Sequence, residues 1–170
     1  MKPLYVDVTK LIDHPGEELY FDGPLPLEPT KLGAELIDFP RPADLDVVLR
    51  GVSEGIIIQG RAKVGIRLLC GRCLEKFEYD TQISIDELAV KEGAPGLTDE
   101  VFPIAAGKID LAAIVYQNIM VEVPIQPLCR RTCAGLCAVC GKNLNEEPHA
   151  HAEEKIDERL APLKKYFEQR

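Results

Sequence analysis

Apolar and polar side chains alternate most regularly between Asp44 and Ile85, and this stretch predicts antiparallel strands at the centre of the chain. Leu45, Val47 and Leu49 alternate with Asp44, Asp46 and Arg50, after which Ser-Glu-Gly predicts a turn into the run GIIIQGRAKVGIRLLC. The later half of that run sets Ala62, Val64, Ile66 and Leu68 on one face and Arg61, Lys63, Gly65 and Arg67 on the other. It reads as a half-buried strand with a basic outer stripe. Beyond Cys73 the alternation resumes, with Tyr79, Thr81, Ile83 and Ile85 opposite Glu78, Asp80, Gln82 and Ser84. Cys70 to Cys73 then fall at the tip of a β-hairpin.

The flanks are less regular. Short apolar runs broken by Pro and Gly fill the first forty residues and predict short strands and loops. Residues 86–108 mix acids with Gly and Pro and read as a long loop with one edge strand near Val101 to Ile104. Asp110 is placed to cap a helix whose Leu111, Ile114, Val115, Asn118 and Ile119 share one face, closed by Pro124. Near the C-terminus a short helix is expected from about Pro162, with Leu163 and Phe167 facing the body. The pattern as a whole predicts an α+β fold: a β-rich body of antiparallel strands with one or two helices over residues 1–125, and a small C-terminal module, rich in cysteine and histidine, with a terminal helix over residues 126–170.

At 170 residues and 46% hydrophobic composition the chain can bury a core without disulfide staples. No apolar run at its N-terminus is long enough for a signal peptide, and none elsewhere approaches a membrane span, so a soluble, cytoplasmic protein is expected. A net charge of -8 argues against a protein that simply coats nucleic acid. The charge is uneven, however. Residues 41–77 hold seven basic and four acidic side chains, and residues 128–170 hold eight and seven, so the acidic surplus lies elsewhere. Both a locally basic surface and an acidic face for a basic protein partner fit this distribution.

Six cysteines and two of the three histidines form the most distinctive chemistry. Cys137-Ala-Val-Cys140-Gly is the sequence of a zinc knuckle, in which a tight turn presents two thiolates to one metal and aims backbone N–H groups at the sulfurs. Cys70 and Cys73 form a second pair, Cys129 and Cys133 a third, and His149 and His151 a fourth. Structural zinc takes four ligands, so these eight serve two sites or offer a choice for one. The preferred pairing joins Cys70 and Cys73 to Cys129 and Cys133, because a hairpin tip far back in sequence needs a distant partner pair. Cys137, Cys140, His149 and His151 then close the other site. A one-residue spacer splays the two rings on an extended backbone, so a shell with one histidine completed by Cys129 or Cys133 is the alternative.

Competing roles are weighed against these. Cys70 and Cys73 could be a metal-free pair at a turn or a redox dithiol, although a low thiolate pKa favours a helix N-terminus over a hairpin. The stripe of Arg61, Lys63 and Arg67, extended by Arg72, is either a solvated strand face paired with Glu78 and Asp80 or a nucleic-acid or partner contact. His14, beside Pro15 and Gly16, reads as a surface turn residue. There is no nucleophile elbow, phosphate loop, metalloprotease helix or dinucleotide-binding turn, and thiolate-rich sites are usually closed and structural, so no catalytic residues are expected.

The runs CGRCLEKF, IDLAAIVYQNIMVEVPIQPLCRRTCAGLCAVCGKNLN and DERLAPLKKY resemble the YceD family, from about residue 45 to the C-terminus. Members are described as large ribosomal RNA subunit accumulation proteins, needed for normal levels of 23S ribosomal RNA in bacteria and chloroplasts. The resemblance therefore implies a noncatalytic ribosome-assembly factor whose partner is large-subunit ribosomal RNA or a basic large-subunit ribosomal protein. A thiol-disulfide redox protein using Cys70 and Cys73 is the alternative. Where many relatives have Cys-x-Cys after the NLN turn, this chain has His149-Ala150-His151, an exchange of one zinc ligand type for another. It also has Glu158 where relatives often have Pro.

Overall fold

The strands reserved by the alternating pattern form a five-stranded sheet in the computed structural model, which describes residues 2–32, 35–92 and 101–151. In chain order the elements are β1 (Tyr5–Asp7), α1 (Thr9–Asp13), β2 (Glu18–Leu25), β3 (Thr30–Leu32), β4 (Glu35–Ile37), β5 (Ala43–Val52), β6 (Gly55–Leu69), β7 (Lys76–Lys91), β8 (Phe102–Ile104), β9 (Lys108–Asp110) and α2 (Leu111–Glu122). The main sheet runs β2-β5-β6-β7-β8, while β1 pairs with β9 and β3 with β4. This strand-rich arrangement with two helices is α+β.

Period-two alternation has the expected consequence. Leu45, Val47 and Leu49 of β5, Ile56, Ile58, Ala62, Val64, Ile66 and Leu68 of β6, and Ile83 and Ile85 of β7 are buried in one core. Both helices cover that face: α1 contributes Leu11, and α2 contributes Leu111, Ile114, Val115, Tyr116 and Ile119. Where α1 crosses β5 the backbones nearly touch, because a Cβ at Gly51 would lie 2.2 Å from the Leu11 carbonyl oxygen. The opposite face of the sheet carries the charged residues.

The central hairpin is longer than its sequence signal. β6 and β7 pair from Ile56 with Ala89 to Leu69 with Lys76, so residues 86–91 continue the strand that was expected to end near Ile85. The Gly-Ile-Ile-Ile start of β6 supplies partners for them, which outweighs the loop-like acids. β8 occupies the expected edge position but runs parallel to β7, so the body is not wholly antiparallel. Five residues are too few for helical periodicity to show, and α1 accordingly lay hidden in a region expected to hold only strands and loops. At the other end of the hairpin, β6 extends past its pairing with β5 at Lys63, and residues 64–69 carry the tip about 20 Å further.

Asp110 caps α2 as expected, its carboxylate accepting from Ala112 N at 3.0 Å and also from Leu4 N at 2.9 Å. No helix among the described residues is long and apolar enough to cross a membrane. The helix expected near Pro162 falls outside the described residues. His14 is exposed at the end of α1.

Replacing Asp110 with Ala removes the cap and the N-terminal tie together. A loss of about 1–2 kcal/mol is expected in a denaturant titration, and an unchanged midpoint would show that neither bond contributes.

Candidate metal centres

The tip of the β6–β7 hairpin is a tight turn set by its own hydrogen bonds. Leu74 N donates to Cys70 O at 2.9 Å, and Cys70 N donates to Glu75 O at 2.9 Å. The turn from Cys137 to Cys140 repeats the pattern: Gly141 N donates to Cys137 O at 2.8 Å, and Cys137 N donates to Lys142 O at 2.8 Å. Both turns force the residue after the second cysteine into the left-handed region, with φ of 73° at Gly141 and 59° at Leu74. Glycine adopts that conformation freely, whereas leucine is strained there at a cost of about 1 kcal/mol.

Pro127, Arg72 and Leu136 fasten the C-terminal loop to this tip. Gly71 N donates to Pro127 O at 2.8 Å, Leu136 N to Arg72 O at 3.1 Å, and Arg72 Nη1 to Cys133 O at 3.0 Å. Docking brings Cys129 and Cys133 against Cys70 and Cys73. Cys70 Sγ lies 3.8 Å from Cys133 Sγ, Cys73 Sγ lies 3.8 Å from Cys129 Sγ, and all four sulfurs fall within 4.8 Å of one another. Three of the cysteines are buried, with 0%, 4% and 3% exposure at Cys70, Cys73 and Cys133, and Phe77 and Leu128 pack around them.

A second group gathers Cys137, Cys140, His149 and His151, whose ligand atoms also lie within 4.8 Å of one another. Here the two imidazoles meet edge to face with centroids 5.0 Å apart rather than splaying to opposite sides. His149 Nε2 is 3.1 Å from Cys140 Sγ, while its Nδ1 donates to the Glu147 carbonyl at 2.8 Å. That second bond fixes the tautomer and leaves Nε2 as the free ligand atom, the arrangement usual for a metal-binding histidine. Cys140 and His151 are exposed, so this group is far more open to solvent than the first. All six cysteines are free thiols.

Backbone N–H groups aimed at sulfur shape the ionisation of both groups. Burial opposes the thiolate at Cys70, but N–H groups of Cys129, Cys73 and Arg72 outweigh it and bring the thiol down to about 6. At Cys133 burial is likewise overcome, by the Asn145 amide and the Gly135 N–H, and its pKa is lowered. Burial and the neighbouring thiols push Cys129 up to about 12. Cys73 is also raised: the Glu75 N–H favours its thiolate, but burial and the Cys70 and Cys133 sulfurs win. In the open group, N–H groups of Cys140 and Val139 bring Cys137 down to about 6, and the Glu147 carbonyl raises His149.

Asn143 and Asn145 belong to the site although the ligand spacing gave no sign of them. Asn145 Nδ2 donates to Cys133 Sγ at 3.4 Å, and its Oδ1 accepts from Ala134 N at 2.9 Å and Arg130 Nη2 at 2.8 Å. Asn143 Oδ1 accepts from Asn145 Nδ2 at 2.8 Å, and its backbone pairs with Leu136. The only trace in the sequence was the NLN run following the last cysteine.

The basic stripe meets carboxylates. Arg61 pairs with Asp46 at 3.3 Å, Arg67 with Asp38 at 2.7 Å and Glu78 at 3.4 Å, and Lys63 stands opposite Asp44 in the sheet register. Arg72 is separate from the other three, held at the hairpin tip by the Cys133 carbonyl.

No solved structure matches the chain. The sequence profile described as large ribosomal RNA subunit accumulation protein YceD matches residues 58–166. Uncharacterized proteins of Mycobacterium bovis and Mycobacterium tuberculosis are each 34% identical over 167 residues, covering 95% of this chain and 80% of their own. One from Mycobacterium leprae is 31% identical over 169 residues, covering 96% and 77%. A Zea mays protein named large ribosomal RNA subunit accumulation protein YCED homolog 1, chloroplastic, is 33% identical over 66 residues, 39% of this chain and 22% of that one. Since the profile takes in both cysteine hairpins and the mycobacterial relatives span nearly the whole chain, the protein belongs to the YceD family.

Proposed function

We propose that the protein is a noncatalytic factor that supports accumulation of large-subunit (23S) ribosomal RNA in the cytoplasm. In this reading two structural zinc ions fasten a C-terminal module, residues 126–170, to the strand body of residues 1–125. One observation carries the zinc: the two Sγ pairs of the buried group lie 3.8 Å apart. Zinc–sulfur bonds of about 2.3 Å give a tetrahedron an edge of about 3.8 Å, so two edges already have the length one ion needs, and the other four are within 4.8 Å. For the open group, a shared ion would set Cys140 and His149 about 3.6 Å apart, about half an ångström from their present 3.1 Å. Four thiolates, and two thiolates with two imidazoles, are both zinc-binding sets.

Burial weighs against the redox alternative. At 0% and 4% exposure, Cys70 and Cys73 cannot readily meet a substrate disulfide, whatever the acidity of Cys70. The role in ribosomal RNA accumulation follows from membership of the family. For the partner, the acidic surplus favours a basic large-subunit ribosomal protein at the body, with ribosomal RNA as the other candidate.

Elemental analysis of the purified protein should return two zinc equivalents, falling to one in Cys137→Ser. Cys73→Ser should lose the buried ion and loosen the C-terminal module while the strand body stays folded on its own core, because the ion's contribution falls on the small module it closes. Metal-free, folded wild-type protein would sink the reading. A chromogenic chelator should strip zinc in two phases, the fast one from the open group and missing in Cys137→Ser. A single phase would contradict the difference in exposure.

Acidification should release metal. Cys70 and Cys137 are depressed to about 6, so each favours its thiolate above that pH and takes a proton as pH falls through it. Protons and zinc compete for the same thiolates, and a bound ion keeps them deprotonated to lower pH than in the free protein. Zinc release should therefore grow as pH falls below about 6, and release that instead grows with rising pH would refute this assignment. In cells depleted of the protein, large-subunit ribosomal RNA should drop relative to small-subunit RNA and recover with wild type but not with Cys73→Ser. An unaltered ratio would remove the functional assignment.

A further inference from the structure

Arginine is used in two different ways in this protein. Seven arginines lie among the described residues, and the four on or beside the sheet all meet carboxylates: Arg41 with Asp80 and Glu78, Arg50 with Glu18, Arg61 with Asp46, and Arg67 with Asp38 and Glu78. The remaining three lie in the two cysteine loops that form the buried sulfur group, and none of them pairs with a carboxylate among the described residues. Arg72 is held by the Cys133 carbonyl and Arg130 by the Asn145 amide oxygen, while Arg131 is exposed next to Arg130. A neutral oxygen orients a guanidinium without cancelling its charge, so the fork keeps free donors and a full positive charge.

These holders are neighbours. Asn145 Oδ1 also accepts from Ala134 N, so Arg130 and Arg72 are anchored to opposite ends of one peptide, Cys133–Ala134. Both guanidiniums are thereby held in place by one short segment, Arg72 directly through its carbonyl and Arg130 through Asn145, with Arg131 next to Arg130 in sequence. Planar forks with unused donors match phosphate oxygens bidentately. The same tip presents Leu74, two residues from Arg72, 58% exposed and strained at φ 59°. A bulky apolar side chain held outward at a strained position, where the sister turn has Gly141, is characteristic of a contact surface rather than of a fold requirement.

We propose that Arg72, Arg130 and Arg131 form a phosphate-backbone contact for RNA, and that the stripe of Arg61, Lys63 and Arg67 does not. This deepens the reading above and rests on it, since the zinc-held loop is what positions the three side chains. Carboxylates along the stripe lower its positive potential and compete with phosphate for the same donors. The three arginines at the tip make no such ion pair among the described residues, although Glu75 and Glu146 stand near them in sequence. Contacts of this kind position RNA without reading its sequence. A zinc ion with four thiolates carries a formal charge of -2, so balancing that charge is the competing role for the cluster.

The test titrates the full chain, with zinc content measured in parallel, onto a full-length large-subunit ribosomal RNA transcript at several salt concentrations. Arg130→Gln/Arg131→Gln should weaken binding by about tenfold and make the slope of log affinity against log salt shallower by about 1.5, with two zinc equivalents retained. Arg61→Gln/Arg67→Gln should change affinity by no more than about twofold, and Leu74→Gly should weaken binding while leaving the protein folded. Absence of RNA binding by wild type, an unchanged slope in the first variant, or an equal loss in the stripe variant would overturn the proposal. Loss of zinc from Arg130→Gln/Arg131→Gln would reassign the cluster to charge balance. Polyglutamate bound as tightly as RNA would reassign it to an acidic protein. If RNA binding fails while zinc and the dependence of ribosomal RNA levels persist, only this patch is withdrawn and the proposed function stands.

Discussion

Four sulfurs from two loops, 63 and 56 residues apart, lie within 4.8 Å of one another, and the course of the loop at residues 127–136 follows from that requirement. The body solves half of it with register. Because β6 and β7 pair without a break from Ile56 to Leu69, the tip residues Cys70 and Cys73 have a fixed position at the end of a hairpin arm that Asp38 braces at Arg67. Polar bonds contribute to the other half, since Arg72, Gly71 and Leu136 tie the incoming loop to that tip through hydrogen bonds. Metal at this place would close an already organised shell, which lowers the ordering cost of binding.

The two groups differ in what surrounds them. Around the first, Phe77 and Leu128 exclude water, and N–H groups from three residues stabilise a thiolate that burial alone would disfavour. The second lies in a short, open hairpin where one histidine is fixed by a carbonyl and the other is exposed. Buried charge needs compensation, so the first group has the richer network of donors. Solvent performs that task for the second. The same contrast separates the arginines: those on the sheet are offset by carboxylates, whereas Arg72 and Arg130 are oriented by neutral oxygens.

Much of this was legible in the chain. Strand faces could be read because period-two alternation is a local pattern, and Ala62, Val64, Ile66 and Leu68 are buried as that pattern requires. The Asp110 cap could be read because an acid before an apolar helical stripe has a local mechanism. Residues 86–91 could not, because their acids and nearby Gly and Pro imitate a loop and only pairing with Ile56 to Gln59 makes them a strand. The parallel course of β8 depends likewise on a neighbour in space.

Ligand chemistry was determined by the sequence by itself: CxxC turns, a CxxxC pair and two histidines name soft-metal donors, because side-chain identity and turn geometry are local properties. Which donors share a shell was decided by tertiary structure, since it depends on where a hairpin tip and a distant loop meet. The same holds for charge. A row of Arg61, Lys63 and Arg67 looks basic along the strand, but Asp38, Asp44 and Asp46 come from other strands and loops to face it. Arg72 stands far back in sequence from the adjacent Arg130 and Arg131, and only the docking of the loop on the hairpin tip brings it to the same segment. Sequence order carries the identity of a charge, whereas its partners are fixed by contacts made across space.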